Sequence, residues 1–541
     1  MFGWSRVRAA ARRFGLGAVL GLVSAVLALG VGRLAAAFVR PESAPVIAVG
    51  NRFILLTPES LKDFAIRTFG QQDKTALLVG IHLVLAGYAI VVGVAGLRRR
   101  WLGVAGVAAF GAVGVLAAVT GNAAGPLDAV PSVLAAAAGI AGFLLLRRLL
   151  RRPLPVAGDG TGRSGGTDPD EATAGGTGTP GTDRRAVLQA AGGAAGLVVL
   201  GGAAGTAGAT LQDRRYSAAS SRSAVRIPAP AERAKPVPAG TELSVPGISP
   251  WRTANADFYR VDTALALPQV PADSWQLRVH GMVDHPLTLS YQDLLRRPLI
   301  ERDITLSCVS NEVGGHLAGN ARWIGARLAE LLREAGVQRG ASQLVSRSAD
   351  GMTIGTPVET VLDGRDALLA VAMNGEPLPI AHGFPVRMLV PGLYGYVSAC
   401  KWLVDLELTT FRAYDPYWVR RKWSRFGPVR TASRIDTPKP FGQVAPGTVT
   451  VAGVAWAQHR GIAGVEVRID DGPWQRARLA RTVDDDVWRQ WSLRWQGATT
   501  GDHQLTVRAT DGTGATQPQT RRTPFPRGAT GWHSIAVTVT G

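Results

Sequence analysis

Cysteine is scarce in this sequence: only Cys308 and Cys400 occur among 541 residues. Two thiols exclude a scaffold built on disulfides, and they cannot supply a metal site of four thiolates. Histidine is also scarce, with eight in the chain, and His82 is the only one before His280. Because a haem held between two histidines needs a pair, we expect no such haem in the first half of the chain.

Acidic residues are outnumbered, with 40 against 59 lysines and arginines, so the formal net charge is +19. A strongly basic chain can bind nucleic acid. Much of the excess here is arginine beside long apolar segments, where basic residues set the orientation of membrane spans. The charge therefore predicts contact with a membrane and no nucleic-acid partner.

Long apolar runs fill most of the first 150 residues. A helix that crosses a bilayer takes roughly 20 apolar residues, and four segments qualify, at about 15–38, 75–97, 101–121 and 129–146. They predict an α-helical transmembrane region over residues 1–152. A fifth transmembrane segment is predicted over 186–210, although alanine and glycine make it less apolar.

Clusters of arginine predict the orientation of these spans, because positively charged loops stay in the cytoplasm. The clusters precede the first span, separate the second from the third and follow the fourth: Arg12 and Arg13; Arg98, Arg99 and Arg100; Arg147, Arg148, Arg151 and Arg152. We therefore expect a multi-pass protein of the cytoplasmic membrane, with a catalytic half on the extracytoplasmic side. The basic residues between the first two spans fit this topology least well.

A linker of glycine, threonine, aspartate and alanine over 153–185 cannot bury a core, so it predicts a flexible cytoplasmic segment. It ends in Arg184 and Arg185, directly before the fifth span. Paired arginines before a mildly apolar stretch resemble a twin-arginine export signal, here placed inside the chain. The alternative is that the pair only anchors the span on the cytoplasmic side.

The second half has the composition of a globular protein. Residues 211–250 hold several prolines and predict a tether. Over 251–435, strand and helix patterns alternate, including helical spacing from Trp323 to Ala335 that Gly336 ends, so we expect an α+β domain. Over 440–541, short alternating strands with an Asp471-Gly472 turn predict a C-terminal β-sandwich of immunoglobulin-like type.

Two stretches carry the chemistry. The first runs from Thr305 to Gly315 and contains Cys308 directly after an apolar β-type run. The second runs from Asn374 to Trp402 and contains the segments NGEPLP, HGFPVR, PGLYG and SACKW. Over about 250–541 these stretches resemble the sulfite oxidase family of molybdenum enzymes. The resemblance implies molybdenum and molybdopterin as cofactors and an α+β molybdopterin-binding domain at 251–435.

The resemblance also implies roles for particular residues. Cys308 is expected to be the metal ligand and a catalytic residue, since a soft thiolate suits molybdenum. Arg387 and Lys401 are expected to bind the pterin phosphate. Further cofactor-binding residues are expected at Asn255, Tyr259, His382 and Ser398, and Arg322 is expected to be catalytic.

Each assignment has a plain structural alternative. Cys308 and Cys400 could form a disulfide, although Cys400 is better explained as a small buried residue. His382 and Ser398 could simply stabilise turns. The charges of Arg322, Arg387 and Lys401 could lie on the surface.

The sequence departs from animal and plant sulfite oxidases at two places. Val371 stands where those enzymes carry an active-site tyrosine, and Asn311-Glu312-Val313 follows the cysteine where they carry arginines. A site that binds an oxyanion is best built from converging arginines, so the identity of the substrate stays open. The expected function is oxygen-atom transfer on a small molecule. The alternatives are a sulfoxide reductase similar to methionine sulfoxide reductase, and a non-catalytic binding protein.

The expected partners follow from this function. A two-electron metal centre needs a separate electron-transfer partner, either a cytochrome or a quinone-linked protein. No haem-binding His-Pro-Gly-Gly segment is present, so we expect no fused cytochrome domain of that kind. The C-terminal domain is of a type that forms homodimers.

The arginine asymmetry makes a direct prediction about topology. Reporter fusions placed after Pro155 and after Gly541 should report opposite compartments, cytoplasmic for the first and extracytoplasmic for the second. Both fusions on one side of the membrane would show that the fifth span does not cross.

Overall fold

The computed structural model describes residues 2–58, 61, 64, 68, 73–121, 124–151 and 184–541. It divides into two compact units, one over 1–216 and one over 217–541. The expected linker over 153–185 lies almost wholly outside the described residues. The two units are treated separately below.

The first unit is helical. Its helices are α1 (Phe2–Val39), α2 (Pro45–Leu56), α3 (Asp73–Arg98), α4 (Arg100–Val119), α5 (Val130–Arg151) and α6 (Arg184–Tyr216). Five helices of the described residues are long and apolar enough to cross a membrane by length and composition. The last of them has the lowest mean hydropathy, 1.5 against 1.9 to 2.4 for the others, as its alanine and glycine content predicted.

Glycines bring these helices into backbone contact. Gly17 and Gly21 of α1 face Val94 and Ala89 of α3, so these two helices run antiparallel. Gly30 of α1 faces Gly201 of α6, and farther along α1 Leu34 faces Gly208, so α1 and α6 run parallel. Small residues allow this close approach, which is how helices pack where no water drives association.

One ion pair ties two ends of the bundle together. Arg40, just after α1, donates through Nε to Asp128 at 2.8 Å, and a second guanidinium nitrogen pairs with the other carboxylate oxygen. Asp128 is 2% exposed and also accepts from the Gly125 N–H at 2.6 Å. This bidentate contact fixes the end of α1 to the turn before α5.

The second unit begins with a short helix, α7 (Ala218–Ala224). It is followed by an α+β domain with two sheets. The first sheet has the order β2-β1-β10-β5-β6 and the second β3-β4-β7-β8, with β9 also paired to β7. The strands are β1 (Gln276–Gly281), β2 (Leu287–Ser290), β3 (Leu299–Ser307), β4 (Ala318–Arg327), β5 (Gln343–Ser348), β6 (Thr353–Pro357), β7 (Leu368–Met373), β8 (Glu376–Pro377), β9 (Arg387–Leu389) and β10 (Leu403–Thr409).

Short helices join these strands: α8 (Tyr291–Leu295), α9 (Leu328–Ala335), α10 (Val358–Leu362) and α11 (Gly395–Ser398). The helix expected from Trp323 begins only at Leu328, because residues 323–326 pair with both β3 and β7 inside a sheet. Gly336 ends it in the left-handed conformation, as expected, with φ of 70°.

Residues 211–250, which we expect to be a tether, pack in part against the second unit. Helix α6 continues to Tyr216, and Ala218 of α7 is fully buried in the core of the second unit. Beyond it, the Ala231 N–H donates to Leu299 O at 2.8 Å and the Glu301 N–H donates to Glu232 O at 2.8 Å. Residues 231 and 232 therefore satisfy their backbone along the edge of β3.

The C-terminal region consists of two sheets, β11-β13-β17-β16 and β12-β19-β18-β14-β15, that bury one shared apolar core. The strands are β11 (Ala432–Thr437), β12 (Gly442–Val444), β13 (Gly447–Trp456), β14 (Ile462–Ile469), β15 (Gln475–Arg476), β16 (Arg478–Leu479), β17 (Arg489–Ala498), β18 (Gly501–Asp511) and β19 (His533–Val539). A tryptophan-rich cluster containing Trp251, Trp423, Trp456 and Trp488 joins this sandwich to the catalytic domain.

The glycine contact between α1 and α3 yields a prediction. Gly21→Leu should destabilise the first unit by about 1–3 kcal/mol, because the new side chain meets the Ala89 carbonyl and overpacking costs this much. Thermal unfolding in detergent would measure it. Gly15→Leu is the matched control, since nothing lies within 4 Å of its added Cβ; equal melting of the two variants would contradict the packing.

Candidate active site

Cys308 lies at the start of the loop between β3 and β4, so the expectation that it follows a strand is confirmed. The loop is fixed by its own hydrogen bonds. The Cys308 N–H donates to Leu317 O at 2.9 Å, and the side chain of Asn311 accepts from the Leu317 N–H at 2.8 Å. Cys308 is half-buried as a residue, Cys400 is buried, and both cysteines are free.

Two opposing effects act on the Cys308 thiol. Burial raises its pKa, while hydrogen bonds from the N–H and hydroxyl of Ser310 and the positive charge of Lys401 lower it, with burial the larger effect. Metal binding requires the thiolate. A metal at this position therefore displaces a proton that the protein otherwise holds on sulfur.

Arg387 is the most unusual charge in the domain. It is 6% exposed, lies over the Trp323 ring at 5.5 Å, and donates through Nη1 to His382 O at 3.4 Å. Its Nε is buried without a hydrogen-bond partner. Burial lowers the pKa of this guanidinium. A buried charge normally has a carboxylate beside it, so the arrangement suits an anion from outside the chain.

His382 is held in one tautomer. Its Nε2 lies 3.0 Å from Asn255 O, so Nε2 is the donor and Nδ1 the acceptor. Burial, followed by the charge of Arg387, lowers the pKa of His382 to about 4. Asn255 is itself fixed by Asn374, which donates to its side-chain oxygen at 2.9 Å. These residues form one rigid neutral cluster.

Tyr259 lies in the same region. Its pKa is raised, chiefly by burial and further by the charge of Cys308, and the charge of Arg387 opposes the shift. Its ring stacks on Phe258, whose edge meets His382 at 5.6 Å between ring centroids. The structure thus gathers Tyr259, His382 and Arg387 in one cluster, and Tyr259 brings this cluster within electrostatic range of Cys308.

Unlike the Nε of Arg387, the side-chain polar groups of Lys401 and Ser398 already have hydrogen-bond partners within the chain. Lys401 Nζ donates to Asp262 at 2.8 Å, and Arg260 binds the same carboxylate at 2.8 Å. The Ser398 hydroxyl lies 3.0 Å from each of the carbonyls of Leu393 and Tyr394, within its own turn. The Lys401 charge is therefore already paired, and Ser398 stabilises the turn that precedes the lysine. Sequence patterns did not single out Asp262.

Arg322 is not brought to the cysteine. It binds Asp303 through two nitrogens, at 3.1 and 2.7 Å, and Glu301 lies 3.6 Å away. Asp303, its partner across the ladder, is five residues before Cys308 on β3, roughly 16 Å at about 3.3 Å per residue. Its guanidinium is neutralised on the sheet rather than directed to the sulfur.

A small cleft lies between the cysteine loop and the sandwich, and Ser307, the residue before Cys308, is part of its lining. Ser307, Asn311, Glu312, Val313, Gly314 and Tyr394 line one side, and Thr431, Ala432, Ser433, Trp456, Gln517, Ala529 and Gly531 line the other. The Ser307 hydroxyl is buried without a partner. Among these described lining residues there is no lysine or arginine. The sandwich side of the cleft was not foreseen, because it comes from strands distant in sequence.

The family model for the oxidoreductase molybdopterin binding domain matches residues 264–418. YuiH of Bacillus subtilis, an uncharacterized oxidoreductase, is 35% identical over 153 residues, which cover 28% of this chain and 74% of that protein. Mitochondrial sulfite oxidase of Homo sapiens is 32% identical over 279 residues, covering 42% of this chain and 50% of the relative. The chain belongs to the sulfite oxidase family of molybdopterin-dependent oxidoreductases.

The similarity covers only part of this chain and of its relatives. The chain spans about half the length of the curated mitochondrial sulfite oxidases of human, macaque and rat, with 50% of each relative covered. Among solved structures, the sulfane dehydrogenase SoxCD of Paracoccus pantotrophus matches with a TM-score of 0.46 and 23% identity, over 55% of this chain and 85% of that one.

The residues of this sulfite oxidase family member fit the family's molybdenum cofactor. A free thiol in a loop held by its own hydrogen bonds suits the metal. The orphaned Arg387 Nε offers a charge-assisted donor to an anionic group. Val371, at the position of the missing tyrosine, is fully buried in β7 and offers no polar group. Family membership and the intact Cys308 decide against a non-catalytic binding protein.

Arg387→Met tests whether this charge awaits an anion. Protein made without molybdopterin should melt at the same or a higher temperature than wild type, because an uncompensated buried charge is removed. Protein made with molybdopterin should retain little cofactor. Arg434→Met is the control: Arg434 is equally buried but donates to Asp436 at 2.6 Å, so its loss should destabilise the protein. Strong destabilisation of cofactor-free Arg387→Met would refute the argument.

Proposed function

We propose that the protein is a membrane-anchored molybdenum enzyme that transfers an oxygen atom to or from a small substrate outside the cytoplasmic membrane. The proposal is carried by two features that both act electrostatically on Tyr259: a free thiol in a hydrogen-bonded loop, and a buried guanidinium whose Nε lacks a partner. The first suits the metal and the second suits the anionic part of the cofactor.

The bound cofactor supplies a centre that exchanges two electrons. The chain supplies what holds and surrounds it. Cys308 provides the thiolate ligand, and Arg387 with Lys401 provides positive charge for the phosphate. His382 stays neutral and presents Nδ1 as an acceptor, while Asn255 fixes its orientation. Tyr259 and the Ser398 turn complete the proposed cofactor-binding set.

The charge of the cleft bears on the substrate. Its described lining contains Glu312 and several neutral donors and acceptors but no lysine or arginine, and Arg322 is occupied by Asp303. An oxyanion such as sulfite is best bound by converging cations. A neutral, dipolar sulfoxide needs only hydrogen-bond donors for its oxygen. The lining therefore favours the second candidate, a sulfoxide reductase, over sulfite oxidation.

The helical unit supports the proposed membrane anchor. Parallel α1 and α6 with antiparallel α3 agree with a topology in which the first and last spans run from the cytoplasm outward. We propose that Arg184 and Arg185 direct export of the folded catalytic half, since that route carries proteins already loaded with cofactor. The C-terminal sandwich is proposed to be immunoglobulin-like and to form a homodimer. Electrons are proposed to pass to a separate cytochrome or quinone-linked partner.

Metal analysis of purified protein tests the function. Wild type should contain about one molybdenum per chain, since one thiolate ligand implies one centre. Cys308→Ala should lose oxygen-transfer activity altogether. Cys400→Ala is the matched control, because this buried thiol donates only to the Lys401 carbonyl, at 3.7 Å, and should keep both metal and activity. Full activity in Cys308→Ala would remove the basis of the proposal.

A further inference from the structure

Two loops of the second unit carry a dense positive charge. Residues 411–430 contain six basic residues and one carboxylate, and residues 520–531 contain three arginines and no acid. We name the nine basic residues the basic rim: Arg412, Arg420, Arg421, Lys422, Arg425, Arg430, Arg521, Arg522 and Arg527. The one acid, Asp415, pairs with Arg425 at 2.9 Å. Most of the rim side chains are exposed.

The two loops form one continuous surface. The Ser424 N–H donates to Pro526 O at 3.0 Å, and Arg430 Nε donates to Arg527 O at 3.4 Å. The ring of Phe525 meets Trp423 at 5.3 Å between centroids. Such contacts hold the charges in fixed positions rather than on free loops.

Two exposed phenylalanine side chains lie among the cations of the basic rim. Phe426 is 50% exposed and Phe525 46% exposed. A solvated charged face needs no exposed phenylalanine. Aromatic residues and arginine together are the composition that distinguishes protein interfaces from the rest of a surface.

The rim leads directly into the cleft beside Cys308. Beyond Arg430 the chain continues into Thr431 and Ala432, and beyond Arg527 into Ala529, all of which line the cleft. The Arg430 N–H donates to the hydroxyl of Tyr394, a cleft residue, at 3.2 Å. A molecule bound on the rim therefore lies next to the proposed metal centre.

We propose that the basic rim docks an acidic one-electron carrier protein that exchanges electrons with the centre at Cys308. The inference rests on the proposed function. Nine cations spread over two loops, with apolar rings among them, suit a protein-sized acidic face, and such charge mainly accelerates and orients encounter. A small anion would need only a few converging groups.

The electrons balance with this partner. In the oxidative direction, water supplies the oxygen atom, the substrate gains it, two protons are released, and two electrons leave one at a time to two carriers in succession. In the reductive direction, two reduced carriers each deliver one electron, two protons are taken up, and the substrate oxygen leaves as water.

Stopped-flow kinetics on the full-length protein would test the docking surface. The protein, in nanodiscs of zwitterionic lipid, is reduced with dithionite and mixed with an oxidised acidic c-type cytochrome or with a neutral benzoquinone. The rim variant is Arg412→Glu, Arg420→Glu and Lys422→Glu together. The control variant reverses three exposed arginines elsewhere in the second unit, Arg333→Glu, Arg339→Glu and Arg494→Glu.

At low ionic strength the rim variant should lose at least about ten-fold in second-order rate constant with the cytochrome, and added salt should erase the difference. Its rate with benzoquinone and its molybdenum content should match wild type, and the control variant should match wild type throughout. Equal cytochrome rates for rim and control variants would overturn the docking surface while leaving the proposed function intact.

Other outcomes are informative. A wild-type protein that reduces neither acceptor would refute the proposed function, and this inference with it. Cytochrome reduction by wild type in nanodiscs of anionic phosphatidylglycerol that slows no more than that of the rim variant would agree with a rim that lipid headgroups leave free. A wild-type rate that is already equal to the rim variant's rate in zwitterionic nanodiscs would overturn the carrier.

Discussion

A guanidinium buried without a carboxylate beside it governs the catalytic domain. Arg387 sits on β9, paired in register with Ala370 of β7, so the sheet fixes its backbone and the core surrounds its side chain. Its charge helps to keep His382 neutral, and the Trp323 ring stabilises its cationic face. The chain pairs the neighbouring Lys401 with Asp262, whereas the Arg387 Nε is buried without a hydrogen-bond partner among the described residues. Burying this donor costs free energy, which the proposed anionic cofactor would offset.

The cleft beside Cys308 depends on two domains at once. The cysteine loop supplies one wall, and strands and loops of the sandwich supply the other. A cluster of tryptophans makes the junction rigid. The described lining is neutral or acidic, with Glu312 as its one charged residue. The fold also fixes Arg322. Asp303 and Glu301 on β3 bind its guanidinium, so its charge stays on the sheet.

The helical unit is held together by a different kind of contact. Its helices approach at glycines until backbone meets backbone, and Arg40 with Asp128 forms an internal ion pair at the end of α1. Charged residues among apolar helices are stable only when they satisfy one another. The unit thus combines an apolar exterior with a small number of specific internal contacts.

The sequence by itself determined whatever depends on local pattern. Apolar runs located the long helices, Gly336 marked the end of α9, and the stretch around Cys308 together with the segments from Asn374 to Trp402 identified the family. Helical spacing misled at Trp323, where pairing with two neighbouring strands overrode it. The prolines of 211–250 gave no indication that residues 231 and 232 bond to the edge of β3, a contact that only the tertiary structure shows.

Tertiary structure alone decided which charges are compensated. Lys401 and Arg387 look equivalent in the sequence, yet one meets Asp262, 139 residues away, and the other has no carboxylate in hydrogen-bonding range among the described residues. Arg322 follows the cysteine stretch in sequence but faces Asp303 across the ladder. Whether a charge is available to a ligand depends on neighbours brought together by folding, and no local pattern contains that information.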